Sequence, residues 1–282
     1  MTAVLGGLGA AICFSVATLC SSRTSRMIGP ASVLAWVALV GLAIVGPFVL
    51  LNDVPAGLDA GAVGWLAVSG LGNAVGLLLA YSALRTGKVG IVAPIVSTEG
   101  AVAAVIALAA GERVTVPVAV TLVLIAACVL VAALAADATP TATAGMRRPA
   151  LLALGAAASF GVSLYATARV GRELPIAWAV LPARLIGVTI VALPLALASR
   201  LRLSRRALPL VVLGGICEVG GFASFTVGAR EAIAVSAVLA SLFAALAALA
   251  AYFLFRERLA RDQRIGVAGI VLGVALLSVL RA

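Results

Sequence analysis

The chain has 282 residues, 64% hydrophobic and only 11% charged, with a mean hydropathy of +1.24. Soluble domains hold about 45–50% apolar and ~25% charged residues, so the composition excludes a soluble enzyme or binding module and marks an integral membrane protein. The net charge of +10 is dispersed in short clusters between apolar runs, which fits membrane topology and not a basic nucleic-acid-binding domain.

Apolar runs of about 20 residues, rather than the ~10-residue alternation of a barrel, point to helical spans. They fall near 3–20, 30–51, 62–84, 89–110 and 114–136, and again near 150–168, 175–198, 208–229, 232–255 and 264–280. The opening stretch MTAVLGGLGAAICF lacks a basic leader, so the first run reads as a retained span. The segment Asp137–Pro149, DATPTATAGMRRP, is the most linker-like. It divides the chain into units 1–136 and 150–282. Cys13, Cys20, Cys128 and Cys217 sit in or beside apolar runs, the distribution of packing residues.

A shift of 145 residues lays Gly70–Arg113 on Gly215–Arg258 without a gap. Gly70 falls on Gly215, Gly76 on Gly221, Arg85 on Arg230, and Glu112-Arg113 on Glu257-Arg258. Coincident glycines and charges at one offset indicate an internal duplication. LGAAICFSV from Leu8 likewise echoes LGAAASFGV from Leu154, and Pro30 and Pro175 open the second and seventh spans. Five spans per copy is an odd number, so the copies enter the bilayer from opposite sides. The expected fold is all-α: ten transmembrane helices as two inverted five-helix repeats, with a site near midplane where they face each other.

Two five-span repeats, each closing its fourth span on Glu-Arg (AAGERVT, then LFRERLA), resemble the EamA-type transporters of the drug/metabolite superfamily. Ala93-Pro94 and Gly111-Glu112-Arg113 are the most typical pieces, and the likeness covers nearly the whole chain. The resemblance implies a ten-helix bundle moving small metabolites, amino acids or drugs across the plasma membrane, commonly outward. Small multidrug-resistance relatives carry a glutamate in the first span, where this chain reads GAAICFSVATL without an acid.

Loops on the side of the N-terminus carry five Arg, whereas those on the other side carry fourteen Arg and Lys. The positive-inside rule then places both termini outside, unlike many relatives of the family. RLRLSRR and FRERLARDQR read as topology determinants that touch anionic lipid heads.

Three ionisable residues lie deep in spans: Glu99, Arg184 and Glu218. Glu99 and Glu218 each stand ten residues inside their span, ~15 Å at 1.5 Å per residue and half of a ~30 Å hydrocarbon layer. Each charge costs about 2.5–3.5 kcal/mol there, which long apolar spans absorb. Two acids against one base leave a carboxylate without a cation from this trio, and such a group exchanges its charge for a proton. The expectation is a shared cavity in which Arg184 binds an anionic group and a glutamate takes an amine or a proton. The competing expectation is an Arg–Glu pair that only stiffens the bundle.

Asn73 falls on Glu218 under the 145-residue shift and is a further candidate, for ligand contact or an interhelical hydrogen bond. Ser97 and Thr98 precede Glu99, and Pro94 is a candidate kink or gate. Phe14, Tyr81, Phe160 and Tyr165 are candidate cavity walls, with core packing the simpler role for any one of them. Gly72 with Gly76, and Gly269 with Gly273, have the spacing of close helix contacts.

With no histidine in the chain, His-based triads, HExxH zinc sites and His relays are unavailable, and no GxxxxGK[ST] loop is present to hold ATP. The function expected is therefore a secondary transporter driven by an ion or substrate gradient and not an enzyme, with no cofactor. Its partners are a small-molecule substrate, protons and lipids, and the alternatives are a lipid-linked carrier or flippase, or a non-transporting scaffold.

Overall fold

Hydrocarbon offers backbone N–H and C=O groups no partner, so apolar segments satisfy them internally as helices. The computed structural model describes residues 1–87, 89–134 and 147–247 together with 250, 269, 272, 273, 276 and 280, and every regular element among them is helical. In chain order these are α1 (Thr2–Ile28), α2 (Pro30–Leu50), α3 (Ala60–Thr86), α4 (Val89–Val96), α5 (Glu99–Ala109) and α6 (Val116–Leu134). There follow α7 (Arg147–Gly171), α8 (Ile176–Ile186), a π-helical stretch (Gly187–Ala192), α9 (Leu193–Leu197), α10 (Leu208–Ala229) and α11 (Ile233–Ala240). Among the described residues six helices are long and apolar enough to cross a membrane: α1, α2, α3, α7, α10 and the continuous run Ile176–Leu197.

Local chemistry sets the helix boundaries. Gly29, at φ +88°, is the single residue between α1 and α2, a left-handed conformation that glycine alone adopts without strain; Pro30 then opens α2 where its missing N–H is not needed. The Asp59 carboxylate accepts from the Ala62 N–H at 2.7 Å and caps α3.

Two expectations are corrected. The fourth span, 89–110, is not one helix but α4 and α5 separated at Ser97–Thr98. The linker expected at 137–149 ends earlier, because Arg147 to Pro149 already belong to α7. Lys88, residues 135–146, and most of 248–282, including nearly all of the expected tenth span, lie outside the described residues.

Helices pack chiefly between the two units. α1 lies on α10 and α11, α3 on α7 and α8, α2 on α8 and α10, and α5 on α7 and α11. The repeated glycines permit these approaches. A Cβ on Gly76 would come within 2.5 Å of the Phe160 ring, and one on Gly221 would overlap the Phe14 ring. Gly70 backs onto the Pro182 carbonyl and Gly215 onto the Val37 carbonyl, and those two partners are themselves 145 residues apart. Gly269 and Gly273 of the last apolar run face Cys128 and Ile125 of α6.

At the end of the bundle that carries Met1, acids cap helices from the opposite unit. Glu231 accepts from the Ala3 N–H at 2.9 Å and from the Met1 ammonium at 3.3 Å. Glu112 accepts from the Ile233 and Ala234 N–H groups at 3.1 and 3.2 Å, with Arg172 at 3.5 Å. Carboxylates at helix N-termini satisfy orphan donors and complement the dipole. In the same region Arg230 donates to the Gly171 and Leu174 carbonyls.

The tightest interhelical approach is Gly100 of α5 against α11, where an added Cβ would overlap the Ala237 carbonyl oxygen and stand 2.8 Å from Ser241 Cβ. Backbone cannot move aside as a side-chain tip can, so overpacking here costs about 1–3 kcal/mol. Gly100→Ala therefore lowers the melting temperature of the purified protein by several degrees, whereas Gly64→Ala, which meets nothing within 4 Å, leaves it unchanged. Equal melting of the two variants contradicts the packing described.

Candidate functional site

The interruption in the fourth span places Glu99. At Ser97–Thr98 the α-helical ladder gives way to a tighter turn, the Thr98 N–H donating to the Ile95 carbonyl at 3.2 Å and its hydroxyl to the same carbonyl at 2.7 Å. The same construction recurs across α5 in the ninth span. There the Leu242 N–H donates to Leu239 at 3.1 Å and the Ser241 hydroxyl to Val238 at 2.6 Å. The break falls beyond Pro94, which lies inside α4. In each turn a hydroxyl thus returns a carbonyl bond that a turn in hydrocarbon would otherwise lose. Glu99 then opens α5 with its carboxylate in the first turn, where the helix dipole favours negative charge.

A cavity of about 570 Å³ of atom-free space, counting the solvent it opens onto, lies in front of Glu99. α1 contributes Phe14, Thr18 and Ser21, α3 contributes Tyr81 among its apolar neighbours, α7 contributes Phe160, and α10 contributes Glu218 and Phe222. The walls run from the level of Glu99 and Glu218 to Ser21, Leu84 and Val92, close to the ends of α1 and α3 and the start of α4. The cavity therefore extends towards the arginine-rich end of the bundle, away from the crossed caps of Glu112 and Glu231.

Several lining residues stand 145 or 146 positions apart in the sequence. Phe14 and Phe160 are 146 apart, as are Thr18 and Leu164, and Leu77 and Phe222 are 145 apart; all six face the cavity. Phe14 and Phe222 meet edge to face with centroids 5.4 Å apart.

The third deep charge lies behind this wall. Arg184 of α8 is 0% exposed, does not line the cavity, and places Nη2 3.7 Å from Glu218 Oε2. Its Cζ sits 5.5 Å from the Phe222 ring centroid, within cation–π range. Gly41 of α2 leaves the room: a Cβ there would lie 2.6 Å from Arg184 Cδ. At 3.7 Å the pair is an ion pair and not a hydrogen bond. Among the described residues no acceptor is bonded to Arg184 Nε, Nη1 or Nη2, nor any donor to Glu218 Oε2. The π-helical stretch begins three residues after Arg184, an irregularity that marks functional positions in other helices.

The remaining sequence candidates lie elsewhere. Asn73 is 0% exposed, with Oδ1 and Nδ2 both unpartnered among the described residues, and it does not reach the cavity. Tyr165 meets Trp65 edge to face at 5.8 Å, outside the cavity lining. Ser97 and Thr98 shape the break and do not line the cavity. Sequence reasoning passed over Thr18, Ser21 and Phe243; for Thr18 the usable signal was its match to Leu164.

The model of the EamA-like transporter family matches this chain twice, over residues 1–134 and 147–279. The chain belongs to the EamA-like transporter family. EamA-like proteins are transporters and not enzymes. A solved structure titled "Crystal structure of protein" shares the fold with a TM-score of 0.74 at 20% identity, over 99% of this chain and 96% of that one. No curated protein matches.

The buried pair gives a thermodynamic signature. Arg184→Gln leaves Glu218 as an uncompensated buried acid, a change of about 3–5 kcal/mol in pairs of this kind. Adding Glu218→Gln removes the stranded charge, so the double variant recovers most of the lost melting temperature. Additive losses in this cycle contradict the pairing.

Proposed function

We propose that this EamA-like protein is a secondary transporter. It carries a small solute across the plasma membrane by alternating access and exchanges it for protons at the membrane-embedded acids. The observation that carries this reading is that Glu99 and Glu218, from different halves of the chain, line one cavity while, among the described residues, a single cation, Arg184, stands behind one of them. A carboxylate with no cation of its own alternates between holding a proton and holding a solute, which couples the two fluxes.

The reading includes ten spans arranged as two inverted repeats, 1–136 and 150–282. It is supported by the two family matches, the 145-residue correspondence, and the pairing of first and third spans between units. By the positive-inside rule the arginine-rich end is cytoplasmic and both termini are outside. The cavity then extends towards the cytoplasm, and the Glu112 and Glu231 caps close the opposite end. Outward release requires those caps to part, and the breaks at Ser97–Thr98 and Ser241–Leu242 allow half-spans to move separately. Export with proton entry is the direction this arrangement favours.

In proteoliposomes containing the purified chain, an imposed pH gradient drives solute flux in wild type. Glu99→Gln and Glu218→Gln each reduce the gradient-driven component at least tenfold while keeping the wild-type elution profile. Undiminished pH-driven flux in both variants refutes the proposal.

A further inference from the structure

The cavity also speaks to the kind of solute, a question that rests on the transport reading above and is tested apart from it. We propose that the ligand is a monovalent organic cation with an aromatic or similarly broad apolar body.

Charge comes first. Among the described residues Glu99 and Glu218 are the carboxylates on the cavity wall, and no described Lys or Arg lines it. Tyr81 on α3 is the other acid facing the space, and it is neutral in its ordinary state. Glu218 is answered from behind by Arg184 at 3.7 Å, whereas no described residue forms an ion pair or hydrogen bond with the 5%-exposed Glu99 carboxylate. One negative charge therefore remains for a ligand. A monovalent cation completes it, and a zwitterion would bring a third carboxylate into a space where the one guanidinium near it among the described residues, that of Arg184, is covered by Phe222. An anion would meet two carboxylates and no exposed cation.

Shape and chemistry of the walls come second. Phe14, Tyr81, Phe160, Phe222 and Phe243 surround the space, five rings in a chain with 5% aromatic residues overall. Aromatic faces attract desolvated cations through the ring quadrupole and give apolar bodies a large contact area. Thr18, Ser21 and Tyr81 supply the hydroxyls on the described wall, and Ser21 already donates to the Thr18 carbonyl at 3.1 Å. Few directional hydrogen-bonding groups remain, so recognition runs on charge and apolar contact. Sugars and other polyhydroxyl solutes lack both.

Radiolabelled tetraphenylphosphonium binding to the full chain in nanodiscs, with no gradient imposed, tests this. Three soluble competitors share one aromatic body and differ in charge: benzyltrimethylammonium, L-phenylalanine and phenylacetate. Saturable binding is expected, displaced by benzyltrimethylammonium at concentrations at least tenfold below those at which L-phenylalanine or phenylacetate acts. Glu99→Gln weakens binding tenfold or more, and Phe222→Leu, which keeps an apolar side chain and loses the ring, weakens it severalfold in protein that keeps the wild-type elution profile. Absence of saturable binding, or equal displacement by the zwitterion or the anion, overturns the proposal using wild-type protein alone. If the cation binds but a pH gradient drives no flux, the transport reading fails and the ligand class stands. If pH-driven flux of other solutes occurs without cation binding, the ligand class fails alone.

Discussion

Two acids and one base in a dry bundle set the terms for the rest of the molecule. Each charge buried in such a bundle costs a few kcal/mol, and among the described residues one acid is left without a cation. Arg184 settles Glu218 from behind, in space opened by Gly41 and under the face of Phe222. Glu99 is left facing a cavity, and a lone carboxylate in that position needs an occupant of opposite charge or a proton. The transport reading and the ligand reading are both consequences of that imbalance.

The backbone is arranged to present the imbalance to solvent. A helix continuing through Ser97 and Thr98 would carry Glu99 around on a different phase; the tight turn resets it so that the carboxylate starts a new helix at mid-depth. Around this point the bundle is drawn close by glycines, Gly100 against Ala237 and Gly161 against Val102 and the Glu99 carbonyl, so the half-span that begins at Glu99 is packed tightly on its neighbours.

Much of this was legible in the sequence because membrane insertion is governed by composition. The all-helical bundle with its six described spans, and the burial of Glu99, Arg184 and Glu218, follow from apolar length and depth along the spans, and Gly76 and Gly221 turn out to be where Phe160 and Phe14 pack. The break at Ser97–Thr98 was not legible, since the apolar run continues through it and the turn is held by one hydroxyl. Nor did spacing reveal that Arg184 sits behind the wall and that Asn73 is sealed away from it. Depth along a span fixes height in the membrane, but which way a side chain faces depends on helix rotation, and hydrophobic periodicity is weak in a bundle that is apolar on every face.

The central claim is a water-filled, negatively charged chamber in front of Glu99. The most direct measurement is the modification rate of a single cysteine introduced as Ala80→Cys, with the native cysteines replaced, by cationic and anionic methanethiosulfonates of similar size. The account predicts that the cationic reagent reacts several times faster than the anionic one, with the preference lost on adding Glu99→Gln. A cysteine that neither reagent reaches, or rates that do not depend on reagent charge, would contradict it.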